Sequence, residues 1–124
     1  MMQILIVDDS ELVVERLSDM LKESSMPVHI ATANSYAAAQ KKMKQYHPEL
    51  VLLDIQLPGK NGIELLSLIK AEYPHVFTIM LTNRVSRYYK ILCKSMGANH
   101  FIDKSSEFEK IPSLIQTYIA ATQH

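Results

Sequence analysis

The sequence predicts an α/β domain: a five-stranded parallel sheet with helices packed on both faces. Two observations carry that expectation. Five short apolar runs alternate with five segments of helical periodicity, joined mostly by links of a few residues, which suits right-handed crossovers. The third run, Leu50-Val51-Leu52-Leu53, is apolar without alternation and is bounded by Pro58-Gly59, as in a strand covered on both sides.

The elements follow in order. Gln3–Val7 is a strand of aliphatic residues ending in Asp8 and Asp9. Ser10 is placed to cap a helix whose apolar positions are Val13, Leu17, Met20 and Leu21, and Met26-Pro27 breaks it. Val28–Thr32 is a weaker, partly alternating strand, as expected nearer a sheet edge. Asn34 or Ser35 caps the next helix, with Tyr36, Ala39, Met43 and Tyr46 inward and Lys41, Lys42 and Lys44 largely outward. His47-Pro48 ends it and leads into the strand Leu50–Asp54. Asn61 caps a third helix with Ile63, Leu65, Leu66 and Ile69 inward, stopped at Tyr73-Pro74. Val76–Thr82 is the fourth strand. The helix after it carries Tyr88, Ile91, Leu92, Ser95 and Met96 at helical spacing and stops at Gly97. Asn99–Asp103 is a short fifth strand, followed by Lys104-Ser105-Ser106 and a last helix with Ile111, Leu114, Ile115, Tyr118 and Ile119 on one face.

Composition narrows the function. The 124 residues suit one domain that buries a core without disulfides. Thirteen basic and thirteen acidic residues cancel, so no global field favours nucleic acid or an anionic membrane. The single Cys93 excludes an internal disulfide and is expected to be a small packing residue. No segment approaches the apolar length of a membrane span, and no cleavable leader is visible, so a cytoplasmic protein is expected.

In open parallel sheets, ligands bind beyond the carboxyl ends of the strands. Here those ends carry Asp8 and Asp9, Asp54, Thr82 and Lys104. Each has a plainer explanation alone: acids favour a helix N-terminus, Asp54 caps a turn, Thr82 is a strand residue, Lys104 is solvated. Together they form a set. Crowded carboxylates call for a cation or a raised pKa, and hard oxygen donors suit Mg²⁺ or Mn²⁺. An aspartate can then serve as nucleophile for a phosphoryl group, with a metal, an ammonium and a hydroxyl around its oxygens.

At these residues the sequence resembles the receiver domain of two-component response regulators, across essentially the whole chain. The matching motifs are Ile6-Val7-Asp8-Asp9-Ser10, Leu53-Asp54 with Leu57-Pro58-Gly59 and Asn61-Gly62, Leu81-Thr82, and Phe101-Ile102-Asp103-Lys104. The resemblance implies a flavodoxin-like (βα)5 sheet of strand order 2-1-3-4-5. It implies that Asp54 accepts a phosphoryl group from the phosphohistidine of a sensor histidine kinase or phosphotransfer protein. Asp9 and Asp54 would hold Mg²⁺ directly, Asp8 mainly through water, and the backbone carbonyl of Gln56 would complete the protein ligands. Thr82 and Lys104 would contact the phosphoryl oxygens, with Thr82 and Phe101 moving as a switch. Such a protein catalyses only its own phosphorylation and dephosphorylation.

The resemblance further implies an output surface on the fourth helix, fifth strand and fifth helix, with Arg84, Arg87, Tyr89, Lys90, Lys94, His100 and Phe108 in or near it, and a possible homodimer. Since the fold uses all of residues 1–124, a stand-alone receiver without an output domain is expected; a fragment of a longer transcriptional regulator or hybrid kinase is the alternative. An aspartate-nucleophile phosphatase would want an acid where Gln56 stands, and a flavin module would be repelled at Asp8-Asp9. Two positions, Gln56 and Arg84, sit where the family tunes water access to the acyl phosphate. One departure matters: the family usually has Pro after the lysine, often across a cis bond. Here Ser105 follows Lys104, so a trans bond and a different loop are expected.

Overall fold

Every strand pairing in the computed structural model is parallel, and the sheet runs β2-β1-β3-β4-β5. The structure describes residues 1–83 and 86–122. The elements are β1 (Met2–Val7), α1 (Glu11–Glu23), β2 (Val28–Ala33), α2 (Tyr36–Tyr46), β3 (Leu50–Asp54), α3 (Gly62–Glu72), β4 (Phe77–Thr82), α4 (Arg87–Ser95), β5 (His100–Asp103), a 3-10 turn (Phe108–Lys110) and α5 (Ile111–Thr122). Strand order reverses between β1 and β3, and β3 lies at the centre. This is the flavodoxin-like order expected from the sequence.

Strand alternation divides the core in two. Ile4, Ile6, Leu50, Leu52, Ile79 and Leu81 pack under α1 and α5 with Leu17, Leu21, Ile115 and Ile119. Leu5, Val7, Val51, Leu53 and Met80 pack under α2, α3 and α4 with Met43, Leu66, Ile69 and Cys93. All five residues of β3 are buried. Each of its four aliphatic side chains contributes about 1.5–3 kcal/mol of burial before ordering entropy, so the strand that delivers Asp54 is firmly held.

Helix starts follow the predicted chemistry. The side chains of Ser10, Ser35 and Asn61 accept from the amides of Val13, Ala38 and Glu64, and Ser35 rather than Asn34 caps α2. Gly97, at φ +101°, ends α4. Among the described residues, no helix is long and apolar enough to cross a membrane.

Two expectations are corrected. Met96 of the expected α4 face does pack inward, but beside Tyr89 and Cys93; Tyr88 and Ile91 are 68% and 58% exposed. A helix with few apolar residues on a sheet edge has an ambiguous phase, and the sheet selected the smaller set containing Cys93. Phe108 is buried between α1 and α5, with the Arg16 guanidinium 4.4 Å from its ring centroid, so it leaves the expected output surface. The 3-10 turn preceding α5 rotates it inward.

Candidate functional site

Residues 96 positions apart in sequence meet at the carboxyl edge of the sheet. The Lys104 ammonium, carried just beyond β5, pairs with Asp8 Oδ2 beyond β1 and lies 3.2 Å from Asp54 Oδ2 at the end of β3. All three residues are at least nine-tenths buried. Asp9 is exposed, yet one carboxylate oxygen each from Asp8, Asp9 and Asp54 lie within 4.8 Å of one another.

The backbone fixes these groups from several directions. Asp8 Oδ1 accepts the Ser10 amide at 2.9 Å, so the residue that caps α1 also orients the acid before it. Asp54 Oδ1 accepts the Gln56 amide at 3.2 Å. The Lys104 amide donates to the Thr82 carbonyl at 2.8 Å, tying the ammonium-bearing residue to the end of β4. Thr82 is itself buried. Gly62 opens α3 directly against β3: its amide donates to the Ile55 carbonyl at 2.6 Å, and a Cβ there would stand 2.0 Å from the Asp54 carbonyl oxygen. The close approach of α3 therefore requires glycine.

Electrostatically the site is unbalanced. One ammonium faces two buried carboxylates with a third beside them. Burial pushes the Asp54 carboxyl up most, and Asp8 pushes it further; the Lys104 charge and the Gln56 amide oppose that rise. Three carboxylates are hard oxygen donors, and this donor set fits divalent cations of hard oxygen preference. A cleft of about 450 Å³ opens beside the acids, lined by Asp9, Gln56, Leu57, Asn61, Thr82 and Tyr89 among others.

The structure thus brings together Asp8, Asp9, Asp54, Gln56, Thr82 and Lys104. Phe101 is half-buried on β5 beside Met80 of β4, bordering a separate cleft with Lys90, Lys94 and His100. Arg84 lies outside the described residues. Tyr89 was expected on the outer surface but lines the acidic cleft; its spacing with Cys93 and Met96 was the signal that could have placed it. The peptide bond after Lys104 is trans, and the loop is held by Asp103, whose carboxylate accepts from the Ser105 amide and from the Ser105 and Ser106 hydroxyls. That Asx-type turn was also missed, although Asp-x-Ser-Ser is a legible signature for one.

A family model described as the response regulator receiver domain matches residues 4–116. The transcriptional regulatory protein LnrK of Bacillus subtilis (strain 168) is 32% identical over 117 residues, which cover 94% of this chain and 53% of that protein. The Mn²⁺-bound form of response regulator Rcp1 matches with a TM-score of 0.81 at 25% identity, covering 94% of this chain and 91% of that one. A chain of the CheX–CheY–BeF3–Mg complex from Borrelia burgdorferi matches with a TM-score of 0.85 at 27% identity, covering 95% and 89%. The chain spans about half the length of the curated relatives it matches.

Proposed function

Because the chain belongs to the response regulator receiver domain family, we propose that Asp54 accepts a phosphoryl group from the phosphohistidine of a sensor histidine kinase or phosphotransfer protein. The observation that supports this best is the Lys104 ammonium set between Asp8 and Asp54, with three carboxylates inside 4.8 Å. In the transfer, an Asp54 oxygen forms a bond to phosphorus as the donor's P–N bond breaks, and the leaving imidazole keeps the electron pair and takes a proton. Lys104 neutralises the oxygens of the transferring group, and the Thr82 hydroxyl, carried at the end of β4, donates to one of them. The Gln56 amide holds the Asp54 carboxylate in register for attack. A Mg²⁺ or Mn²⁺ ion held by Asp8, Asp9, Asp54 and the Gln56 carbonyl would supply charge neutralisation for the phosphoryl oxygens.

Phosphorylation adds about −1.5 to −2 charge, enough to draw Thr82 toward the new group and let Phe101 turn inward behind it. The consequence is read out on the α4–β5–α5 face. There Arg87, Lys90 and Lys94 carry only positive charge on α4, beside exposed Tyr88 and Ile91. A cytoplasmic protein partner, or a second copy of this chain, would dock there. Charge reversal at Lys90 and Lys94 is expected to abolish that contact; an unchanged partner interaction would contradict the assignment.

The span of about half the length of transcriptional regulators favours a second reading, in which the same switch serves as the receiver portion of a DNA-binding regulator. Phosphotransfer profiling against the host's sensor kinases, with Asp54→Asn as control, tests the shared core. One kinase is expected to label the protein rapidly and Asp54→Asn not at all; labelling that survives Asp54→Asn would overturn the reading.

A further inference from the structure

We propose that Asp103 is a positioning residue for Lys104, its carboxylate folding the loop that sets the lysine ammonium between Asp8 and Asp54. This rests on the reading above, in which Lys104 contacts the group transferred to Asp54.

The backbone of Lys104 is held from both sides. On its strand side the Lys104 amide is tied to the Thr82 carbonyl. On its far side Ser105 and Ser106 are exposed. The Asp103 side chain bridges that gap. Its Oδ1 accepts the Ser105 amide at 2.9 Å and the Ser105 hydroxyl at 2.7 Å, and its Oδ2 accepts the Ser106 hydroxyl at 2.9 Å. The carboxylate therefore straddles Lys104, binding the residues after it to the strand before it. A second closure surrounds the first: the Asp103 amide donates to Glu107 Oε1 at 3.2 Å, and the Glu107 amide donates to the Asp103 carbonyl at 2.8 Å.

Asp103 is 8% exposed, and among the described ion pairs it has no cation. A charge tucked in without a counter-ion is held there by donors. All three side-chain contacts come from the two residues that follow Lys104, and the Ser105 hydroxyl, foremost among them, holds the Asp103 carboxyl below the usual carboxylate range. A proline at position 105 would delete the amide donor to Oδ1. Serine there and aspartate at 103 thus form one device. It acts on the site through geometry alone, because the Asp103 oxygens are occupied by the turn.

A plainer role, starting the 3-10 turn and α5, would affect folding without regard to the Lys104 side chain. A double-mutant cycle separates the two. The purified protein is labelled with a small phosphoramidate donor and Mg²⁺, first confirming that labelling is lost in Asp54→Asn. Asp103→Ala is expected to slow labelling about ten- to a hundredfold, with Mg²⁺ bound no more weakly than in the unmodified protein. Asp103→Asn keeps an acceptor for Ser105 and is expected to recover most of the rate. In a Lys104→Ala background, Asp103→Ala is expected to change the rate less than about twofold. A paired Ser105→Ala, Ser106→Ala variant removes two donors at exposed positions, should fold normally, and is expected to reproduce part of the slowing.

Equal slowing by Asp103→Ala with and without the Lys104 side chain would overturn the positioning role. So would an undiminished rate in Asp103→Ala or, should that variant fail to fold, in the serine pair. Labelling of the unmodified protein that is absent, or insensitive to Asp54→Asn, would instead overturn the phosphoryl-acceptor reading and this proposal with it.

Discussion

Two lysines are drawn inward in this molecule, at opposite edges of the same sheet, and their surroundings differ in kind. At the amino edge, Lys70 of α3 donates to the Val76 carbonyl at 2.8 Å and to Asn99 Oδ1 at 3.3 Å. Asn99 also accepts the Thr78 amide and donates its own to the Thr78 carbonyl, and the lysine stem covers Gly97. Every acceptor there is neutral, and burial lowers the Lys70 pKa. At the carboxyl edge, Lys104 meets two buried carboxylates with Asp9 close by. The amino-edge cluster closes on itself and fastens α3, β4 and the start of β5. The carboxyl-edge cluster retains more negative charge than one ammonium balances. That surplus, costly in a buried site, is what a cation and an incoming phosphoryl group would use.

Substitutions should separate these two roles. Lys104→Ala leaves Asp8 and Asp54 facing each other without compensation. In metal-free buffer we expect it to cost about 3–5 kcal/mol, much of it regained in the Lys104→Ala, Asp54→Asn double variant, by urea unfolding. Labelling of Asp54 should fall by about two to three orders of magnitude in the same single variant. Adding Mg²⁺ to the unmodified protein is expected to raise the unfolding free energy by about 2.7 kcal/mol at a hundredfold excess over its Kd, and to do far less for Asp9→Asn. Lys70→Met should cost only about 1–2 kcal/mol, from acceptors left without their donor, and leave the labelling rate unchanged. A large loss of labelling in Lys70→Met would erase the contrast between the two edges.

The smallest effect is a pH slope. The Asp54 carboxyl is raised in the folded state, so the native protein holds its proton where the unfolded chain has released it. Stability contributed by that group falls as pH rises from the ordinary carboxylate value through the raised one, and levels off above it. Asp54→Asn lacks this fall. Its stability advantage over the unmodified protein should therefore grow across that window in metal-free buffer, checked by urea midpoints at a series of pH values; a shrinking advantage would reverse the assigned sign.

Much of this was legible because the signals were local or strongly periodic. The apolar run before Asp54, the caps at Ser10 and Asn61, and the acids and lysine at strand ends all state their roles in adjacent residues. What escaped depended on tertiary choice. The phase of α4 was undetermined because Tyr88, Ile91, Leu92, Ser95 and Met96 offer one stripe and Tyr89, Cys93 and the same Met96 another, and only packing on the sheet selects between them. Phe108 was taken for a surface residue because the 3-10 turn that rotates it inward has no strong sequence mark. The Asp103 turn was hidden by its neighbour: beside Lys104, an aspartate at a strand end read as part of the motif rather than as the support beneath it. The need for glycine at position 62 became physical only once α3 was seen to start on the Asp54 carbonyl.

The chemistry proposed for the site turns on Asp54 as the phosphoryl acceptor. Incubating the purified protein with a small phosphoramidate donor, with and without Mg²⁺, and mapping any adduct by mass spectrometry after trapping the acyl phosphate tests it most directly. A single Mg²⁺-dependent modification on Asp54 is expected, absent from Asp54→Asn and slowed in Lys104→Ala. A modification on another residue, or one indifferent to Mg²⁺ and to Asp54→Asn, would contradict it.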